Sequence, residues 1–150
     1  MKFNFLGCTL LLLLLVATAC NNADSSFEPY TEERAVVKEE PVLEYKVLLN
    51  DTLNPDWAFH VKLYEQKKSL QYRVLFQYKE VEGEKIFSYP NLGFMPKPGL
   101  RKQGEDSLAC IVGFYDADST FMDLRLIKVE NDNLMYRHLK EYQVDDGKKK

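Results

Sequence analysis

Residues able to act as nucleophile, base or metal ligand are few in this chain, and they are scattered. Its two histidines, His60 and His138, belong to no His-x-His or His-Glu-x-x-His spacing, and no Cys-x-x-Cys pair exists, so no local zinc or metalloprotease pattern is present. No serine stands in a Gly-x-Ser-x-Gly elbow or a Ser-x-x-Lys pair. Cys110 lies between Ala109 and Ile111 in the most apolar run of the chain, where a cysteine behaves as a small buried hydrophobe and not as a reactive thiolate. Asp116, Asp118, Ser119 and Asp123 could offer oxygens to calcium, but they lack the closing bidentate Glu of an EF-hand loop. Asp, Asn and Ser are also the ordinary residues of a β-turn, and Asn131-Asp132-Asn133 has the same status. The expectation is a protein that is not an enzyme, with no catalytic residue, no metal ligand and no cofactor. The alternatives are an enzyme or enzyme accessory whose triad assembles in space without a local signature, or a purely structural protein with no discrete ligand.

Cys20 is the cysteine that does suggest chemistry. Lys2 gives a positive start, Leu10 to Ala17 is an uninterrupted apolar run, and Ala17-Thr18-Ala19-Cys20 closes it with small residues. That run is too short for a membrane span, which needs about 20 apolar residues, and fits a secretion signal with a small-x-small cleavage site. The segment Val16-Ala17-Thr18-Ala19-Cys20 resembles the lipobox of bacterial lipoproteins, with Ala17 where a Leu is commonest. The resemblance implies cleavage after residue 19 and diacylation of Cys20, with palmitate-like chains holding the protein in the membrane. Two acyl chains give stable anchoring where one is marginal. Asn21, where an Asp would favour inner-membrane retention in enteric lipoproteins, leans toward the outer membrane of the bacterial cell envelope. Loss of Cys8 with the leader and modification of Cys20 would leave Cys110 alone, so no disulfide framework is available. With 45% hydrophobic and 13% aromatic residues, the chain nonetheless has the material for an apolar core.

One further segment has the make-up of a binding surface. Ser88 to Arg101 holds Tyr89, Phe94 and Met95, stiffened by Pro96 and Pro98. Rigid exposed aromatics serve as anchors in interfaces, so Tyr89, Phe94 and Met95 are candidate contacts for a protein or glycan partner. The competing expectation is that Phe94 and Leu100 turn inward and cap the core. Nucleic acid is not an expected partner: the net charge is −3, and no basic patch is available to neutralise phosphates. The Lys148-Lys149-Lys150 end reads as a solvated tail.

The elements that must position these residues are short and extended. After the leader (1–19), residues 20–41 are acidic and poor in large apolar groups, which predicts a flexible tether with an r.m.s. span of about 25 Å. A short helix is expected within it from Thr31 to Glu40, capped by Thr31 and stopped by Pro41. From Val42 the pattern alternates with period two. Strands are expected at 43–49, 57–64, 70–79, 85–89, 108–115 and 120–129, with turns at 54–56, 65–69, 82–84, 116–119 and 131–133. The run 108–115 is apolar on both faces, and the shift of parity within 120–129 predicts a bulge. Pro90 to Gly104 cannot be a regular central strand. Leu134 to Val144 fits both periods, with a hairpin strand preferred. Together these make an all-β fold, an antiparallel β-sandwich of seven or eight strands over 42–145, followed by a disordered basic tail at 146–150. In general shape, without a diagnostic motif, the chain resembles the small exported bacterial lipoproteins that carry a β-sandwich of unknown function.

Overall fold

Strict alternation builds the two most regular strands and fixes which face of each is buried. In the computed structural model, which describes residues 32–142, eight strands follow one another: β1 Leu43–Leu48, β2 Ala58–Glu65, β3 Gln71–Tyr78, β4 Val81–Ser88, β5 Lys97–Gln103, β6 Asp106–Tyr115, β7 Phe121–Glu130 and β8 Asn133–His138. The leader, Cys20 and the basic tail lie outside the described residues. All pairings are antiparallel, and each sheet is a simple meander, β1-β2-β3-β4 and β5-β6-β7-β8. The fold is therefore all-β and sandwich-like, as the alternation predicts, and the described residues contain no helix.

Phe59, Val61 and Leu63 of β2 lie opposite Tyr78, Phe76 and Val74 of β3, and this face meets Cys110, Val112, Phe114, Leu124 and Ile127 of the second sheet in one core. Burying each large side chain stabilises the fold by about 1.5–3 kcal/mol, enough for a core without disulfide support. The double apolar pattern of β6 also has its structural counterpart. Cys110, Val112 and Phe114 face the main core, while Ala109 and Ile111 pack with Leu126 and Phe121 on the opposite face. Phe121 lies across two glycines of adjacent strands. A Cβ on Gly99 would come within 2.5 Å of its ring, and one on Gly113 within 2.7 Å.

The bulge expected in β7 is Leu124. Val112 pairs with Arg125 and Gly113 with Asp123, so Leu124 is the extra residue. Leu134 to His138 is strand, joined to β7 through Asn131 and Asp132, both at positive φ, a conformation that suits a two-residue hairpin turn. Asp132 also ties the sheets together: it accepts a hydrogen bond from the Tyr78 hydroxyl at 2.7 Å and pairs with Lys79 Nζ at 2.9 Å.

Three expectations need correction. The turn placed at 82–84 is at Lys79 and Glu80, with Lys79 at φ 55°, and Gly83 lies inside β4. Gly83 sits opposite Phe76, whose ring would be 2.3 Å from an added Cβ, so this glycine makes room for an aromatic instead of bending the chain. The proline-rich segment ends in a strand after all, but β5 is at a sheet edge, where Pro98 costs no ladder hydrogen bond. No helix forms within 32–40. Glu33 instead bridges to Lys68, and Arg34 N donates to Lys67 O at 2.9 Å. The chain is thus fixed to the sandwich well before residue 42.

Candidate functional site

One end of the sandwich gathers the incoming chain, the β2–β3 turn, the β4–β5 connection and the segment after β8. The β2–β3 turn leaves several carbonyl groups pointing at one spot, and Arg34 fills it. Its Nη1 donates to Gln66 O at 2.6 Å, Lys68 O at 2.8 Å and Gln71 O at 3.4 Å. Nη2 donates to Ser69 O, and Nε pairs with Glu65 at 3.3 Å. The guanidinium lies 4.7 Å from the Tyr72 ring centre. Only arginine offers five N–H donors in a planar fork, which is why one side chain can serve so many acceptors.

Beside this strap lies the β4–β5 connection, and here the expected trio separates. Tyr89 is only 2% exposed. Its hydroxyl donates to Gly113 O at 2.8 Å, and its ring meets Tyr72, Phe87 and Phe114 edge-on. Burial pushes its phenol well above the ordinary tyrosine range. Tyr89 is therefore a core residue and not a surface contact: a phenol with one buried acceptor and three aromatic neighbours has more to gain inside. Phe94 is half-buried, Pro96 is buried, and Met95 is 37% exposed. Of the three, Met95 alone is exposed, and about a third of its surface is open to solvent. Between strap and connection runs an open cleft of about 430 Å³, bordered by Glu33, Lys68, Gln71, Ser88 and Asn91.

The histidines face acids but at loose distances. His60 Nε2 is 3.6 Å from Glu44 Oε2, too long for a hydrogen bond, and burial holds its pKa below the ordinary value. The adjoining cleft is about 90 Å³, with Lys62, Leu75, Gln77 and Glu82 in its walls and no serine, threonine or cysteine among its lining residues. His138 Nδ1 lies 3.8 Å from Glu141 on the exposed surface. Cys110 is buried, and desolvation raises its thiol to about 12, which leaves it protonated and inert. Asp116 works as a turn residue, its Oδ1 accepting from Asp118 N at 3.0 Å and Thr120 N at 2.8 Å. Asp123 pairs with Arg101 at 3.0 Å. Among the described residues no group of three or more His, Cys, Asp and Glu is placed to hold a metal ion.

Two residues of consequence escape sequence reasoning. Arg34 stands with Lys38 in an acidic stretch and looks like tether. Arg125 stands between Leu124 and Leu126 at the parity shift, a position whose signal reveals the bulge but not that the arginine is buried. Set against known proteins, the chain matches no family model, no curated protein and no solved structure.

Proposed function

We propose that this protein is a lipoprotein of the bacterial cell envelope, anchored in the outer membrane through acyl chains on Cys20, whose β-sandwich is a non-enzymatic module for binding or assembly with a protein or glycan partner. The observation that carries the anchor is the small-residue segment Ala17-Thr18-Ala19-Cys20 behind a short apolar run. The fold supports a division of labour between lipid and domain. Arg34 locks the incoming chain onto the β2–β3 turn, at the end that also carries Met95, which supports a reading with the anchor on that side; the opposite end carries Trp57, Lys79 and Asp132. Exposed Leu48, Leu53 and Val81 give apolar contact area around that opposite end, where a partner approaching from the periplasmic or outer space would meet the domain.

The anchor is tested by replacing Cys20 with Ser in a bacterial host fed labelled palmitate. The parent should incorporate label and sediment with membranes, and the variant should do neither. Membrane retention and labelling of the Cys20→Ser protein would overturn the proposal.

A further inference from the structure

Arg125 follows the bulge residue Leu124 on β7, and its guanidinium turns in between the sheets, 5.9 Å from the Phe87 ring centre. The residue is 8% exposed. Nη1 donates to Leu124 O at 2.9 Å, a carbonyl of its own strand, and Nε is buried without a hydrogen-bond partner. Among the described residues no carboxylate forms an ion pair with it. A guanidinium cannot shed its proton to escape burial as a lysine can. Buried charges are ordinarily paired because leaving one alone costs several kcal/mol. Among the described residues Arg125 is a fixed cation with no carboxylate partner; the one side-chain group that shares a hydrogen bond with it is the neutral Tyr136 hydroxyl.

It also lines a cleft of about 220 Å³ together with Ser88, Pro90, Leu124, Lys140 and Tyr142. Glu141 borders the same cleft, but its carboxylate is directed to His138. The cleft therefore offers two cations, a hydroxyl and three apolar walls, with the exposed Glu141 carboxylate on its rim. A cavity of about 150 Å³ holds benzene, so there is room here for a ring or branched chain with one acid group.

We propose that this cleft binds a small organic carboxylate, its oxygens on the Arg125 guanidinium and its apolar body against Pro90, Leu124 and Tyr142. The planar fork matches a carboxylate in two-point contact. A free phosphate would use the cations but leave the apolar walls without a partner.

The test uses the full chain with nitrogen-labelled arginine, titrated with benzoate while the Arg125 Nε–H resonance is followed. Benzoate should move that resonance to saturation, whereas benzamide, of the same shape without charge, and inorganic phosphate should leave it in place. Benzoate should also raise the thermal midpoint of the parent and lose that effect in Arg125→Met. Four results would overturn the proposal. They are an unmoved resonance with benzoate, an equal response to phosphate or to benzamide, and a benzoate-dependent stabilisation that survives in Arg125→Met. The fourth is a shift of the same resonance in ligand-free Asp145→Asn/Asp146→Asn protein, which would make the chain's own acids the counter-ion.

Discussion

Arg34 and Arg125 place guanidinium groups at the same end of the sandwich, both nearly removed from water, and their surroundings could hardly differ more. Arg34 donates to four backbone carbonyls, pairs with Glu65 and stacks on Tyr72. Arg125 donates to one carbonyl of its own strand, shares a hydrogen bond with the neutral Tyr136 hydroxyl and faces no acid among the described residues. The group is the same, so the difference lies in what the backbone offers it. A turn whose carbonyls converge gives a guanidinium everything it needs. A bulged strand gives it a place between two sheets, one carbonyl and one neutral hydroxyl, with Nε left over. The satisfied arginine holds structure together; the unsatisfied one costs stability, and that cost marks a site.

The largest effect expected from this contrast is at Arg34. Arg34→Met should lower stability by about 3 kcal/mol, because the turn carbonyls and Glu65 lose a shared partner at once. A shift of the urea midpoint would measure it, and faster hydrogen exchange at the Ser69 and Arg34 amides, which pair with Glu32 O and Lys67 O, would place the damage. Arg34→Lys should recover only part of the loss, since an ammonium cannot span several acceptors in one plane. Arg125→Met should go the other way, raising stability by about 1 kcal/mol and the urea midpoint with it, as a buried charge without a counter-ion is replaced by an apolar chain. If both substitutions destabilise alike, the two arginines are equivalent and the contrast fails.

The same contrast explains what could be read from the sequence. Alternation is a side-chain signal, so β2 and β3 were legible residue by residue, and the parity shift in 120–129 foretold a bulge that the pairing places at Leu124. The role of Arg34 was not legible, because its partners are carbonyl oxygens of a distant turn, and every residue type carries one. The burial of Arg125 was hidden for a related reason: the bulge changes which face the following residue occupies. Gly83 misled in the opposite direction. Glycine is the strongest local turn signal, but here it is required by the Phe76 ring across the ladder. Tyr89 misled because its prolines and neighbours describe a loop, while its hydroxyl has a specific acceptor on β6.

Tyr89 and Met95 extend the comparison to neutral side chains of one short segment. Tyr89→Phe should cost about 1 kcal/mol, since Gly113 O loses a buried donor while the aromatic packing stays. Met95→Ala should change stability by less than about 0.5 kcal/mol, as expected for a surface position. Chemical denaturation of the two single variants distinguishes core from surface within this connection. Equal losses would mean that Met95 is also part of the packed cap.

His60 supplies the smallest test, through a cation that can do what arginine cannot. Its Nε2 is buried without a hydrogen bond, and burial first, then the charge of Lys62, holds its pKa below the ordinary 6.5, with Glu44 opposing them in part. As pH falls through about 6.5, the unfolded chain takes up the proton before the folded protein does. Stability is therefore complete above that range and declines as pH drops toward the folded-state pKa. Below that value both states are protonated and the loss is complete. The thermal midpoint of the parent should fall between about pH 7 and 5. Carboxylates elsewhere titrate at the lower edge of this window, so the diagnostic quantity is the difference between parent and variant. His60→Gln should flatten the upper part of the decline, and Glu44→Gln should steepen it by removing the one nearby charge that favours the protonated ring. Parallel curves for parent and His60→Gln would show that His60 escapes its buried position on protonation, swinging out to water as neither Arg34 nor Arg125 is free to do.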